Sequence, residues 1–146
     1  LAYEGNPDAI KFPSPAVRDS LDFSFSGIKT AALNFLNSAA QKGEEVNRGD
    51  LAASYTNAIV SGIEKQISGA LDMTGHKTLV FAGGVAANSH LRSRLTALCE
   101  KKGVKFVYPK LALCGDNGAM IAAAGSFEFE AGIFADTSLN ASALDD

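Results

Sequence analysis

The sequence predicts an α/β fold that is rich in helix and carries a short parallel sheet. Two short runs of β-branched and aromatic residues, Thr78 to Ala82 and Val104 to Tyr108, are bounded by glycine or proline. Such runs are typical of buried parallel strands, which are covered on both faces and so lack polar alternation. Each run leads into a stretch with helical period, giving strand, helix, strand, helix, the order of a βαβα unit with parallel strands. Two strands are too few for an open sheet of this kind to bury both faces. The sequence is therefore expected to be part of a larger protein whose other strands lie outside this polypeptide.

Residues 1–25 are expected to form an extended connector. Pro7, Pro13 and Pro15 interrupt any sustained period, and the piece has too little apolar surface to fold alone. Residues 26–75 form a helical segment. Ile28, Ala31, Ala32, Phe35, Leu36 and Ala39 follow i, i+3, i+4, i+7 spacing, with Ser24 or Ser26 as the cap and Phe23 and Phe25 packed inward. After a polar break from Gly43 to Gly49, Asp50 caps a longer helix. Its stripe is Leu51, Tyr55, Ile59, Ile63, Ile67 and Ala70, and Gly75 ends it.

Residues 76–132 are expected to form a βαβα unit. Gly83 and Gly84 turn the chain after the first strand. Asn88 or Ser89 then starts a helix with Leu91, Leu95, Leu98 and Cys99 inward and Arg92, Arg94 and Lys101 outward, closed by Gly103. Pro109 stops the second strand, and Asp116 opens a small-residue helix through Met120, Ala123, Ala124 and Phe127. Residues 133–146 are expected to be a frayed tail.

A chain of 146 residues, 47% of them apolar, forms one modest core at most, and its net charge of −3 gives no electrostatic reason to expect a surface wrapped in nucleic acid. Cys99 and Cys114 lie outside any CxxC pair, which argues against a zinc site or a disulfide framework and for a reducing cytoplasm. No run approaches the roughly 20 apolar residues of a membrane span, and no basic n-region precedes an apolar h-region. The chain begins at Leu1 without an initiator methionine, which reads as a cut in preference to processing.

Two motifs carry candidate chemistry. In Leu79 to Asn88, LVFAGGVAAN, paired glycines follow a buried strand, so no side chain blocks a ligand and the next helix offers free N–H groups. The same letters also describe a tight turn with Asn88 as an N-cap, and the pattern is not GxGxxG. In Leu113 to Met120, LCGDNGAM, Asp116 stands at the mouth of a helix beyond the second strand. Ligands in open α/β sheets gather there, and a carboxylate in that crevice can hold a metal; it can equally be a helix cap. Asn88 and Asp116 should share one rim of the sheet. His76 and His90 have no metal-ligand spacing and read as solvated. The basic bias of Arg92, Arg94, Lys101, Lys102, Lys105 and Lys110 reads as a solvated face before an RNA-binding one. In Asp22 to Thr30, DFSFSGIKT, a capped helix start outweighs a ligand contact.

Taken together, Phe12-Pro13, DFSFSGIKTA from Asp22, AGGVAANSHLR from Ala82 and LCGDNGAMIAAAG from Leu113 resemble the C-terminal half of the TsaD family, formerly called Gcp glycoprotease, over about Leu1 to Gly132. The resemblance implies part of a two-lobed, actin-like ATPase fold of the sugar kinase/Hsp70 type. It also implies transfer of a threonylcarbamoyl group from threonylcarbamoyl-adenylate to N6 of adenosine 37 in tRNAs that read codons beginning with A, giving t6A. By the same resemblance Gly83 and Gly84 approach the nucleotide part of the donor, Asn88 binds it through its side chain, and Asp116 is one ligand of an iron or zinc ion. The family's other ligands are histidines of an HxxxH motif in the first lobe, and this sequence has no HxxxH. Ser14 stands where arginine is common, and Gly115 where threonine is common. The implied partners are tRNA and the accessory proteins of the t6A machinery, with no membrane; self-association of the isolated chain is also expected, as is its inactivity alone. The alternatives are a metalloprotease, which would need a water-activating glutamate beside metal-binding histidines, and a non-catalytic protein-binding lobe.

Overall fold

The computed structural model describes residues 1–140 of the chain. In chain order it contains α1 (Ser26–Lys42), α2 (Arg48–Thr74), β1 (Thr78–Val80), α3 (Ser89–Lys102), β2 (Lys105–Val107) and α4 (Gly118–Glu130), with single 3-10 turns at Gly84–Ala87 and Leu111–Leu113. β1 and β2 pair in parallel, Leu79 opposite Phe106, as the βαβα order requires. The fold is therefore the helix-rich α/β arrangement with a short parallel sheet that the sequence predicts.

The strands are shorter than their apolar runs. Val104 donates its N–H to Cys99 in the C-terminal turn of α3, which removes it from the ladder. At the other strand Phe81 still donates to the Val107 carbonyl at 2.9 Å, after which Gly83 swings the chain away at φ 85°, ψ 177°. α1, α2 and α3 each end on a left-handed glycine, Gly43, Gly75 and Gly103, where the missing Cβ removes the penalty of that conformation.

The starts of the first two helices differ from expectation. α1 begins after Phe25 with no side-chain cap from Ser24 or Ser26, and Phe23 and Phe25 stack on each other at 5.9 Å, 42% and 37% exposed, instead of packing inward. α2 is capped by Asn47, whose side-chain oxygen accepts from the N–H groups of Gly49 and Asp50. Asp50 sits in the first turn and accepts from the N–H of Asn6 at 2.7 Å, so its carboxylate holds another segment instead of capping its own helix.

The N-terminal segment is a strap laid along α2. Ser54, buried in α2, accepts from the Ile10 N–H and donates to the Asn6 carbonyl. Gln66 donates through Nε2 to the carbonyls of Val17, Ser20 and Asp22, closing a bend in which Ala16 bridges Phe23 in antiparallel fashion. Pro15 is fully buried against Gly62, where an added Cβ would stand 2.5 Å from its ring. Phe12 meets Phe35 of α1 and Tyr55 of α2 edge-on and so joins the two helices.

The core lies between α2, α3 and one face of the sheet. Val60, Leu91, Leu95 and Leu98 are its centre, with Ile63, Ile67, Phe81 and Phe106 packed around them. Each buried leucine contributes roughly 1.5–3 kcal/mol. The inward residues expected of α3 are thus the ones observed, whereas the most buried positions of α2 are Ala53, Ser54, Val60, Gly62, Gln66 and Leu71, because the helix is covered on two sides. Arg94 pairs with Glu64, and Lys102 with Asp72 at 2.5 Å, fastening α3 beside α2 in parallel register. These half-exposed pairs fix orientation more than stability.

The opposite face of the sheet is open. Val80 is 68% and Val107 38% exposed, and α4 has no buried residue although it carries Ile121, Phe127 and Phe129. Parallel strands are normally covered on both faces, so this face and α4 leave an uncovered apolar surface, in keeping with the expectation of a part of a larger protein. In the tail, Phe134 packs edge-on against Phe129 and Asp136 closes a turn on Ser138, while 141–146 lie outside the described residues. Among the described residues no helix is long and apolar enough to cross a membrane.

Candidate functional site

The two glycine-containing motifs converge beyond the C-terminal ends of β1 and β2. A cavity of about 410 Å3 lies there, with Ala82 and Gly83 on one side and Cys114, Asp116, Asn117 and Met120 on the other. Crevices at this end of a parallel sheet are where α/β proteins take ligands.

Gly83 holds a backbone conformation that L side chains rarely adopt, and a Cβ built on Gly83 or Gly84 would meet no atom within 4 Å. The turn is therefore bare main chain facing open space. Gly84 begins the 3-10 turn and, with Asn88, stands outside the cavity lining. Asn88 caps α3, its side-chain oxygen accepting from the Leu91 N–H at 3.1 Å. Its Nδ2 donors have no partner among the described residues, so the cap uses only half of the amide.

Asp116 does not open α4, contrary to expectation. Asn117 is the cap, accepting from the Met120 N–H at 2.9 Å and donating to the Gly115 carbonyl at 2.9 Å. The cap role thus passes to the neighbour, and the Asp116 carboxylate is left exposed at the rim with no hydrogen bond or ion pair among the described residues. A partner-free carboxylate beside a cavity suits one position in the shell of a hard or borderline cation. Among the described residues no group of three or more His, Cys, Asp or Glu is placed to hold a metal. Gly115 also leaves open space at its Cβ position, so the threonine common in the resembled family would fit there.

Two side chains read as solvated are not. Arg92 turns back to the rim: Nε donates to the Ala86 carbonyl, and NH2 donates to the Pro109 carbonyl at 3.0 Å and to Cys114 Sγ at 3.1 Å. Its position seven residues before buried Cys99, hence on the same helical face, is the signal that identifies it. His90 stacks on Tyr3 at 3.9 Å with its Nε2 buried and without a hydrogen-bond partner among the described residues, while the Tyr3 hydroxyl bonds Ser89 Oγ at 2.8 Å. Arg92 in the rim and Arg94 and Lys102 paired to α2 commit half of the basic stripe inside the chain, while Lys101, Lys105 and Lys110 are exposed as expected of a solvated face.

The family described as TsaD, tRNA N6-adenosine threonylcarbamoyltransferase, matches residues 1–123. A curated relative of that name from Desulfitobacterium hafniense (strain Y51) is 52% identical over 141 residues, covering 96% of this chain and 41% of its own length. A second, from Clostridium beijerinckii, is 45% identical over 142 residues, covering 97% of this chain and 42% of its own length. A third, from Clostridium perfringens (strain 13), is 46% identical over the same length. The chain therefore spans about two fifths of the length of the curated relatives it matches. With the match running through the strap, both helical segments and both motifs of the rim, the chain belongs to the TsaD family of tRNA N6-adenosine threonylcarbamoyltransferases.

Proposed function

We propose that the complete protein transfers the threonylcarbamoyl group of threonylcarbamoyl-adenylate to N6 of adenosine 37 in tRNAs reading codons that begin with A, and that this chain supplies one wall of the donor site. The observation that carries the reading is the cavity with the bare Gly83 turn on one side and the partner-free Asp116 carboxylate on the other. In this reading 1–25 is the connector, 26–75 the helical segment behind the site, 76–132 the nucleotide-binding unit and 133–146 the tail. The work takes place in the cytoplasm, with tRNA and the accessory proteins of t6A synthesis as partners.

Gly83 and Gly84 let the adenylate approach the main chain without a side chain intervening. Asn88 keeps α3 in place through its oxygen and donates from Nδ2 to the donor. Asp116 would be one ligand of an iron or zinc ion, which when bound would supply positive charge to stabilise negative oxygens of the donor. The tRNA amine attacks the carbamoyl carbonyl carbon, the bond to the phosphate oxygen breaks, and AMP leaves with that electron pair while the amine proton passes to solvent. The chain's own share of the catalysis is positioning, since none of these residues forms a covalent bond to the substrate.

The test uses the full-length protein. Asp116→Ala is expected to lose both bound metal, read by elemental analysis, and t6A formation, read by nucleoside mass spectrometry. Retention of both would overturn the assignment.

A further inference from the structure

We infer that Arg92 is a positioning residue that couples the glycine turn to the Asp116 loop, an inference that rests on the donor-site reading above. The side chain leaves α3 and contacts three separate pieces of the rim. Nε donates to the Ala86 carbonyl in the turn that follows Gly83. NH2 donates to the Pro109 carbonyl just beyond β2 and to Cys114 Sγ, two residues before Asp116. The guanidinium carbon lies 4.4 Å from the ring centroid of Tyr108, which fixes the plane of the fork. Cys114, almost fully buried, donates in turn to the Lys110 carbonyl at 3.5 Å, so the loop is closed on itself beneath the arginine.

The contacts call for arginine specifically. A planar fork with five N–H donors can meet acceptors lying in different directions, whereas the ammonium of lysine is a point donor on a flexible stem. The charge is half-buried, and among the described residues no carboxylate pairs with it. Desolvating a cation is costly unless its donors are satisfied, and here main-chain carbonyls, a sulfur and a ring face do so. A packing role alone would be met by an uncharged side chain. Arg92 does not line the cavity, so its influence on the donor passes through the two loops it ties together.

The experiment compares wild type and Arg92→Lys in the full-length protein. Steady-state t6A formation is measured against threonylcarbamoyl-adenylate and against tRNA, and alkylation of Cys114 and Cys99 is followed by peptide mass spectrometry. Arg92→Lys is expected to raise the adenylate KM by at least about fivefold while the tRNA KM stays within about twofold, since only the donor wall is loosened. Cys114 should alkylate at least about fivefold faster, with Cys99 in the core unchanged. A lower kcat with both KM values unchanged would mean that Arg92 only maintains the folded fraction, and would overturn the coupling. Wild-type adenylate KM or wild-type Cys114 reactivity would overturn it as well. Tyr108→Leu, which removes the ring under the guanidinium, should show the same pattern at smaller size. It decides the matter if the lysine variant does not fold, and unchanged values there would also overturn the inference. A wild-type protein that forms no t6A would sink the proposed activity instead, leaving Cys114 alkylation to judge the coupling on its own.

Discussion

Asn88→Asp separates the two roles assigned to one amide. In wild type the side-chain oxygen accepts from the Leu91 N–H at 3.1 Å and so fixes where Leu91, 1% exposed, enters the core. Asp offers the same oxygen and is as good an N-cap as Asn, with added favour from the helix dipole, so unfolding free energy should change by less than about 0.5 kcal/mol. What disappears is the Nδ2 donor. A hydrogen bond to a charged group contributes roughly 1.5–3 kcal/mol, which converts to a loss of about 10- to 150-fold in adenylate affinity, before the new carboxylate's repulsion of the phosphate is added. Asn88→Ala loses cap and donor together and should cost about 1 kcal/mol of stability besides. Thermal unfolding and the adenylate KM of the full-length variants give the two readouts. The reasoning is refuted if Asn88→Asp binds donor as wild type does, or if it is destabilised as much as Asn88→Ala.

Two further outcomes follow from the strap and the core. Gln66→Met keeps the volume of the side chain but removes the donor shared by three carbonyls; a loss of about 2 kcal/mol makes local opening roughly 30-fold more frequent, and trypsin cleavage after exposed Arg18 should accelerate accordingly. An unchanged cleavage rate would show that the bend is held by other contacts. Burial pushes the Cys99 thiol above its ordinary pKa of 9.0, so the unfolded chain ionises first as pH rises. Stability is then unaffected below about pH 9 and falls above it, and Cys99→Ala should flatten that alkaline limb in chemical denaturation. An identical alkaline limb in the variant would remove Cys99 as its cause.

The parts of the fold legible in the sequence are those set by local period and local conformation. The α3 stripe of Leu91, Leu95, Leu98 and Cys99 is visible because helical spacing and burial coincide, and Gly43, Gly75 and Gly103 are visible as stops because only glycine takes the left-handed turn cheaply. The caps were less legible. Asn and Asp are near-equal as N-caps, so Asn47 against Asp50, or Asn117 against Asp116, cannot be decided by residue type when both stand within a few positions. That ambiguity matters most at Asp116, because its availability depends on its neighbour taking the cap. For Arg92 and His90 charge and polarity predict solvent, whereas their partners are carbonyls, a thiol and a tyrosine far away in the chain. The strap reads as extended for the same reason: its order resides in α2, more than forty positions on.

That last separation has a consequence for the sequence of events in folding. Asp50, Ser54, Gly62 and Gln66, the groups that receive the strap, fall on one continuous line winding round α2 only when that helix is already formed, at intervals of one or two turns. The strap has no ladder or helix of its own to form in advance, and its loop to Gln66 must close before any of its bonds are made. The strap precedes in the chain the helix face it docks on, and it is therefore among the last parts of this region to settle. Until α2 has coiled as far as about residue 66, residues 6–22 lack the hydrogen-bond partners that hold them here.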